Sequence, residues 1–329
     1  MAMNRAGGTL REGIATIVQQ KYFALLIVLA LSALIILLSW IFNSFRGGYF
    51  IIPAANWIDL LVEWLLNNFK AVFDIIKVLT GLVLNNCEKF FLWLPWWAVI
   101  LLVFVFSFWL AGRRVAIFSV AGMYLILLLG LWDLSMITMA LMTVAVFISN
   151  LIGIPMGILA AKSDRFEKSI RPLLDAMQVM PSFVYLIPAL MFFGIGRVPA
   201  VMACVIYALP PAVRLTNLGI RQVPTELMEA AHAFGTTQMQ LLLKLELPIA
   251  MPSIMAGVNQ TIMMNLGMAV LAAMIAAGGL GREVLMSLGQ IDIGRGFVAG
   301  FCIVILAMVL DRITQVIGTK QKRNTRSKS

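Results

Sequence analysis

Between Leu134 and Ala161 the chain runs for 28 residues without a charged side chain, and between Ile249 and Ala277 for 29. Wound as α-helix, an apolar run beyond about 18 residues spans the hydrocarbon layer of a bilayer. Only a helix or a closed barrel satisfies its own backbone hydrogen bonds there, and runs this long point to the helix. Composition agrees: 61% of the 329 residues are hydrophobic and 12% are charged, about half the charged share of an ordinary soluble domain. That excludes a soluble globule, a disordered chain and a secreted disulfide scaffold. The expectation is an all-α, polytopic membrane protein.

Further apolar stretches are Tyr22–Phe42, Pro95–Gly112, Val115–Trp132, Leu173–Gly196, Val198–Val213 and Gly296–Gly318. With the first two they make about eight transmembrane helices. Tyr22–Phe42 follows Arg5, Arg11 and Lys21, but it is too long for a signal-peptide core, so it reads as a retained first span. The net charge of +10 invites a nucleic-acid reading, and its distribution removes the need for one. With both termini cytoplasmic, 18 of the 25 basic residues fall on the inner side. The inner segments then carry the whole basic excess, and the outer ones sum to zero. This is the positive-inside pattern of a plasma (inner) membrane protein, whose nonspecific partner is membrane lipid.

Between the first two spans, Asp59, Glu63, Asn67, Lys70, Asp74, Lys77, Asn85 and Glu88 recur every three or four residues. Trp57, Leu61, Trp64, Phe69, Phe73 and Ile76 fill positions between them. This is a long amphipathic helix, expected as a scaffold at the outer interface or along the bundle. The organisation expected is an N-terminal region 1–94, two accessory spans in 95–133, a core 134–318 and a disordered, topogenic basic tail 319–329.

Catalytic chemistry is missing from this sequence. Cys87, Cys204 and Cys302 are far apart in apolar surroundings, and His232 is the single histidine, so no metal or redox site is expected. No phosphate loop of the G-x-x-x-x-G-K-[ST] type occurs; the run Gly278-Gly279-Leu280-Gly281 lacks the lysine. Asp133, Asp175 and Asp311 lie near span ends, which weakens a proton-relay mechanism. A non-catalytic chain without a cofactor is the expectation.

The longest inner segment, Arg214–Pro248, carries the most information. Pro224 suits a helix start, and Thr225–Phe234 reads as a short helix closed by a left-handed Gly235. Thr237 with Gln240 forms a capping box for a second helix, expected to stop before Pro248. A two-helix elbow tied to two spans is a docking device.

Here the sequence resembles a family. Glu229-Ala230-Ala231, Gly235 and Leu245-x-Leu247-Pro248 are similar, at matching spacing, to the EAA motif of importer-type ABC transporter permeases, with Leu245 in place of isoleucine. Residues 215–224, 256–263, 278–281 and 310–314 resemble the osmoprotectant branch, which imports glycine betaine, proline betaine, choline and related compounds. The resemblance covers roughly residues 95–318. It implies a type I importer permease core whose elbow, 224–248, is the coupling helix seated in a separate ATPase subunit. It also implies two ATPase copies, a second permease copy and a substrate-binding protein on a separate polypeptide. Leu245 and Leu247 are expected to anchor the elbow.

Gln178, Ser182 and Tyr185 fall at i, i+4 and i+7, and Thr261 and Asn265 share a face with Asn259 nearby. These six are candidates for lining a solute pathway, or equally for hydrogen bonds between helices. Gly153 and Gly157 form a small-xxx-small packing step, and Pro181 and Pro188 are expected kinks. The competing functions are an ATP-independent secondary transporter or channel for small zwitterions, a membrane scaffold, and an importer of choline, carnitine or another amino-acid-like solute.

Overall fold

The computed structural model describes residues 26–38, 45–46, 49–50, 53–275 and 277–326. The chain divides into two units, Met1–Asn67 and Asn68–Ser329. In the first, α1 (Leu26–Leu38) is an apolar helix, and the strands β1 (Phe45–Arg46) and β2 (Tyr49–Phe50) form a two-residue antiparallel ladder pairing Phe45 with Phe50. The rest of the expected span Tyr22–Phe42, with Arg5, Arg11 and Lys21 before it, lies outside the described residues.

Helix α2 (Ala54–Trp93) takes up the amphipathic stretch and loses helical geometry at Phe69, φ −115° and ψ 16°. In the second unit only Glu88 of its polar stripe is buried, while Lys70, Asp74, Lys77 and Asn85 stay exposed. Thr80, Leu84 and Glu88, spaced by four, are buried, and the Glu88 carboxylate accepts a hydrogen bond from Arg197. Phe73 stacks on Phe192 with ring centroids 4.7 Å apart. Of the two placements expected for this helix, packing along the bundle is the one found for this part.

The bundle continues through α3 (Trp96–Ala111), α4 (Arg113–Leu128), α5 (Trp132–Lys162), α6 (Asp164–Val179), α7 (Leu186–Phe193) and α8 (Arg197–Arg221). It is completed by α9 (Thr225–Ala233), α10 (Gln238–Leu241), α11 (Leu247–Ala272), α12 (Gly279–Gln290) and α13 (Ile293–Arg326). Helix α8 is the axis, packed between α5 and α11, while α13 closes the far side against α11, α12, α4 and α3. The small residues explain how closely α5 approaches. A Cβ added at Gly153 would lie 2.6 Å from Ala212 Cβ, and one at Gly157 only 2.7 Å from the Val213 carbonyl oxygen. The small-xxx-small step is therefore a helix-packing seam. Around this core Leu151, Phe147, Phe106 and Trp109 point outward and exposed, the pattern of a lipid-facing surface.

The eight expected spans resolve differently. Among the described residues, four helices are long and apolar enough to cross a membrane: α5, α8, the Gln238–Ile275 stretch and Ile293–Ile313 of α13. Two bent pairs bring the number among these residues to as many as six: α2 with α3, bent by 103°, and α6 with the Ser182–Phe193 segment, bent by 116°. Helices α3 and α4 have 16 residues each, roughly 24 Å, short of a hydrocarbon core about 30 Å thick.

Three further differences follow from local chemistry. The expected span Leu173–Gly196 breaks at Met180 and Pro181, both extended, because a proline drives its preceding residue out of the helical region. Pro248 does not end the second elbow helix. A π-turn over Leu242–Glu246 precedes it and α11 runs on, the wide turn making room for the proline ring. The basic tail expected to be disordered continues α13 as far as Arg326, in a stretch 319–326 without Gly or Pro. Residues 327–329, the end of the expected basic tail, lie outside the described residues.

Candidate functional site

The elbow is built as its residues dictate. Helix α9 starts after Pro224 and ends in a left-handed Gly235 at φ +71°. Gly235 N–H donates to the His232 carbonyl at 2.9 Å and Thr236 N–H to the Ala231 carbonyl at 3.2 Å, the paired bonds of a Schellman closure. An added Cβ at Gly235 would touch nothing within 4 Å, so the backbone angle, and not crowding, requires glycine here. The capping box is present on both sides: Gln240 N–H donates to Thr237 Oγ1 at 3.3 Å, and Thr237 N–H donates to Gln240 Oε1 at 3.0 Å.

No residue of α9 is buried. Glu229 and Ala230 are exposed and Ala231 is half-buried, while Phe234 is 89% and Met239 64% exposed. Apolar side chains presented together on a protrusion mark an interaction surface.

The roots of the elbow are held by charge. Arg221, at the end of α8, reaches the Ala160 carbonyl at 2.9 Å, Asp164 at 2.6 Å and Glu167 at 3.2 Å. On the return side, Glu246 is 1% exposed, and Lys162 Nζ lies 2.6 Å from both of its carboxylate oxygens. Both roots thus clamp onto the end of α5. Sequence reasoning missed Glu246, which occupies the variable position of the Leu245-x-Leu247 motif. A lone acid between two leucines at the edge of an apolar run was the available signal. Leu245 and Leu247 are only half-buried; Leu241, at 1%, is the deeper apolar anchor. Pro248 is exposed.

The six pathway candidates separate. Gln178 ends up near the last turn of α6, and Ser182 and Tyr185 sit in a 3₁₀ turn beyond the Met180–Pro181 break. They therefore share no helical face, and the i, i+4, i+7 argument falls with the helix that it assumed. Tyr185 is 3% exposed and its hydroxyl donates to the Met177 carbonyl. Thr261 and Asn265 are fully buried. Thr261 Oγ1 donates to the Gly257 carbonyl at 2.9 Å and lies 3.3 Å from that of Ala208, and Asn265 Nδ2 donates to the Thr261 carbonyl. Asn259 borders an open concavity, with its amide on Asp311 at 3.1 Å.

Comparison with known proteins meets this geometry at the same residues. A family profile described as binding-protein-dependent transport system inner membrane component matches residues 153–323. The chain is 44% identical over 278 residues to the glycine betaine/proline betaine transport system permease protein ProW of Escherichia coli (strain K12), covering 84% of this chain and 77% of that one. It is 48% identical over 275 residues to the glycine betaine/carnitine transport permease protein GbuB of Listeria monocytogenes serotype 1/2a (strain 10403S), covering 82% and 97%. Among solved structures, an inward-facing conformation of the MetNI methionine ABC transporter superposes with a TM-score of 0.51 at 23% identity, over 59% of this chain and 95% of that chain. That last likeness concerns the fold.

Proposed function

Because this chain belongs to the family of binding-protein-dependent transport system inner membrane components, we propose that it is the permease subunit of an ATP-driven importer for glycine betaine, proline betaine or a related quaternary ammonium osmoprotectant. The names of its relatives support that substrate class. In this reading the core 134–318 forms the pathway, 1–94 and 95–133 brace it, and the tail 319–329 stays inside. Two copies face one another, each docking one ATPase subunit, and a separate binding protein delivers solute from outside. Both termini and the elbow are cytoplasmic, as the distribution of basic residues supports.

The observation that carries the reading is the elbow. It is an exposed, rigidly capped protrusion whose two roots are clamped to α5 and whose second limb continues without a break into a membrane-length helix. Glu229, Ala230, Ala231, Gly235, Leu245, Leu247 and Pro248 build it or seat it. ATP binding and hydrolysis occur in the partner, and the permease transmits a two-state rearrangement biased by the partner's nucleotide state.

The test is purification of the tagged chain with its complex, followed by reconstitution with the binding protein. A nucleotide-binding subunit should copurify, and uptake of labelled glycine betaine should require ATP, with proline betaine, carnitine and choline ranked by competition. Uptake without ATP and without a copurifying ATPase would establish the secondary-transporter alternative instead.

A further inference from the structure

Helix α8 is bracketed by Arg197 and Arg214, and Tyr207 stands between them, roughly 15 Å from the first and 10 Å from the second along the axis. The contact of Thr261 with the Ala208 carbonyl sets α11 in register, so Gln260 and Met263 lie near the same depth. At that level a concavity of about 650 Å³ opens between α8 and α11, bordered by Tyr207, Asn259, Gln260, Met263 and Met264. Gln260 and Met263 are exposed, and Tyr207 is half-exposed. A primary amide at this depth is not stable against lipid tails; such groups face protein or a water-filled path.

The walls suit a particular solute. The Tyr207 ring is held by an edge contact with Tyr185 at 5.6 Å and 63°, and Tyr185 is itself buried and tied through its hydroxyl to the Met177 carbonyl. A fixed aromatic face attracts a quaternary ammonium. Met263 and Met264 add soft, adaptable thioether surface, and the Gln260 amide can donate to a carboxylate at the other end of the solute. The second large concavity, about 610 Å³ beside Val146, Phe147, Leu151 and Ile154, offers no such complement. Its lining holds no tyrosine–glutamine pair like Tyr207 and Gln260, and the Asn150 amide is turned back onto the Val146 carbonyl.

We infer that the Tyr207–Gln260 concavity is where a methylated-ammonium zwitterion rests during passage, and that Tyr207 determines specificity for the ammonium end. The inference rests on the importer reading above and replaces Gln178, Ser182, Tyr185, Thr261 and Asn265 as the wall of the path.

The experiment compares wild type, Y207F and Y207L in the complete reconstituted transporter, measuring the ratio of glycine betaine to proline uptake. The shared binding protein contributes equally to each, so its own preference cancels. Y207L should lower the ratio about tenfold, and Y207F should keep it within about twofold. A wild type that transports by ATP with an unchanged ratio in Y207L overturns the site and leaves the importer standing. A wild type without ATP-dependent transport overturns the importer reading itself. Should Y207L fail to assemble, M263C in a C87S background replaces it. A thiol reagent with a trimethylammonium head should block uptake, with excess glycine betaine slowing the reaction; absence of protection overturns the site.

Discussion

At the residue scale, Glu246 and Lys162 form the contact on which the elbow's return root rests. Removing one member of a buried ion pair strands the other charge. A fully buried pair costs about 3–5 kcal/mol to break this way, and the partial exposure of Lys162 lowers that to roughly 2 kcal/mol. K162M should therefore reduce thermal stability and raise ATP consumed per solute transported. The swap K162E/E246K should recover part of both, measured by thermal unfolding and by transport stoichiometry in vesicles. Gly157 makes a different demand, because the atoms facing it are the Thr216 Cβ and the Val213 backbone carbonyl, neither of which can swing aside. G157V should cost about 1–3 kcal/mol through overpacking, seen as a lower Tm of the purified chain. A normal Tm would mean that α5 and α8 pack less closely than the geometry states.

At the scale of elements, the elbow was the most legible part of the sequence, since its signals are local. Pro224, Gly235 and the Thr237/Gln240 pair act within one turn, and each does in the structure what its chemistry requires. The membrane helices were less legible, because hydropathy reports burial in lipid and says little about direction. The α6–α7 bend keeps an apolar composition on both sides of Pro181, so the run Leu173–Gly196 hid a 116° turn. The π-turn before Pro248 was equally silent, and with both went the faces deduced for Gln178, Ser182 and Tyr185. Two predictions belong here. G235V forces a β-branched residue into a left-handed backbone; transport and solute-stimulated ATPase should fall together while membrane insertion survives, and unchanged coupling would count against the elbow. T237A removes one capping bond at a cost of about 1 kcal/mol, so amide exchange should quicken over Gln238–Leu241 with little change elsewhere.

At the scale of the whole molecule, orientation is the property on which the functional reading turns. A cysteine placed at Phe234, 89% exposed on the elbow, should react with an impermeant maleimide only in inverted vesicles. The associated ATPase should protect it, and labelling of intact cells would reverse the topology.

The stretch from Gln238 to Ile275 is 38 consecutive helical residues with a π-turn at Leu242–Glu246, roughly 57 Å from tip to tip at helical rise. No coil residue separates its helical turns, so a displacement at one end is carried toward the other. Tilting its inner end by about 5° swings the outer tip through about 5 Å, close to the breadth of a small osmolyte. In the proposed importer, a modest nudge at the elbow would thereby suffice to open a doorway at the far end of this helix.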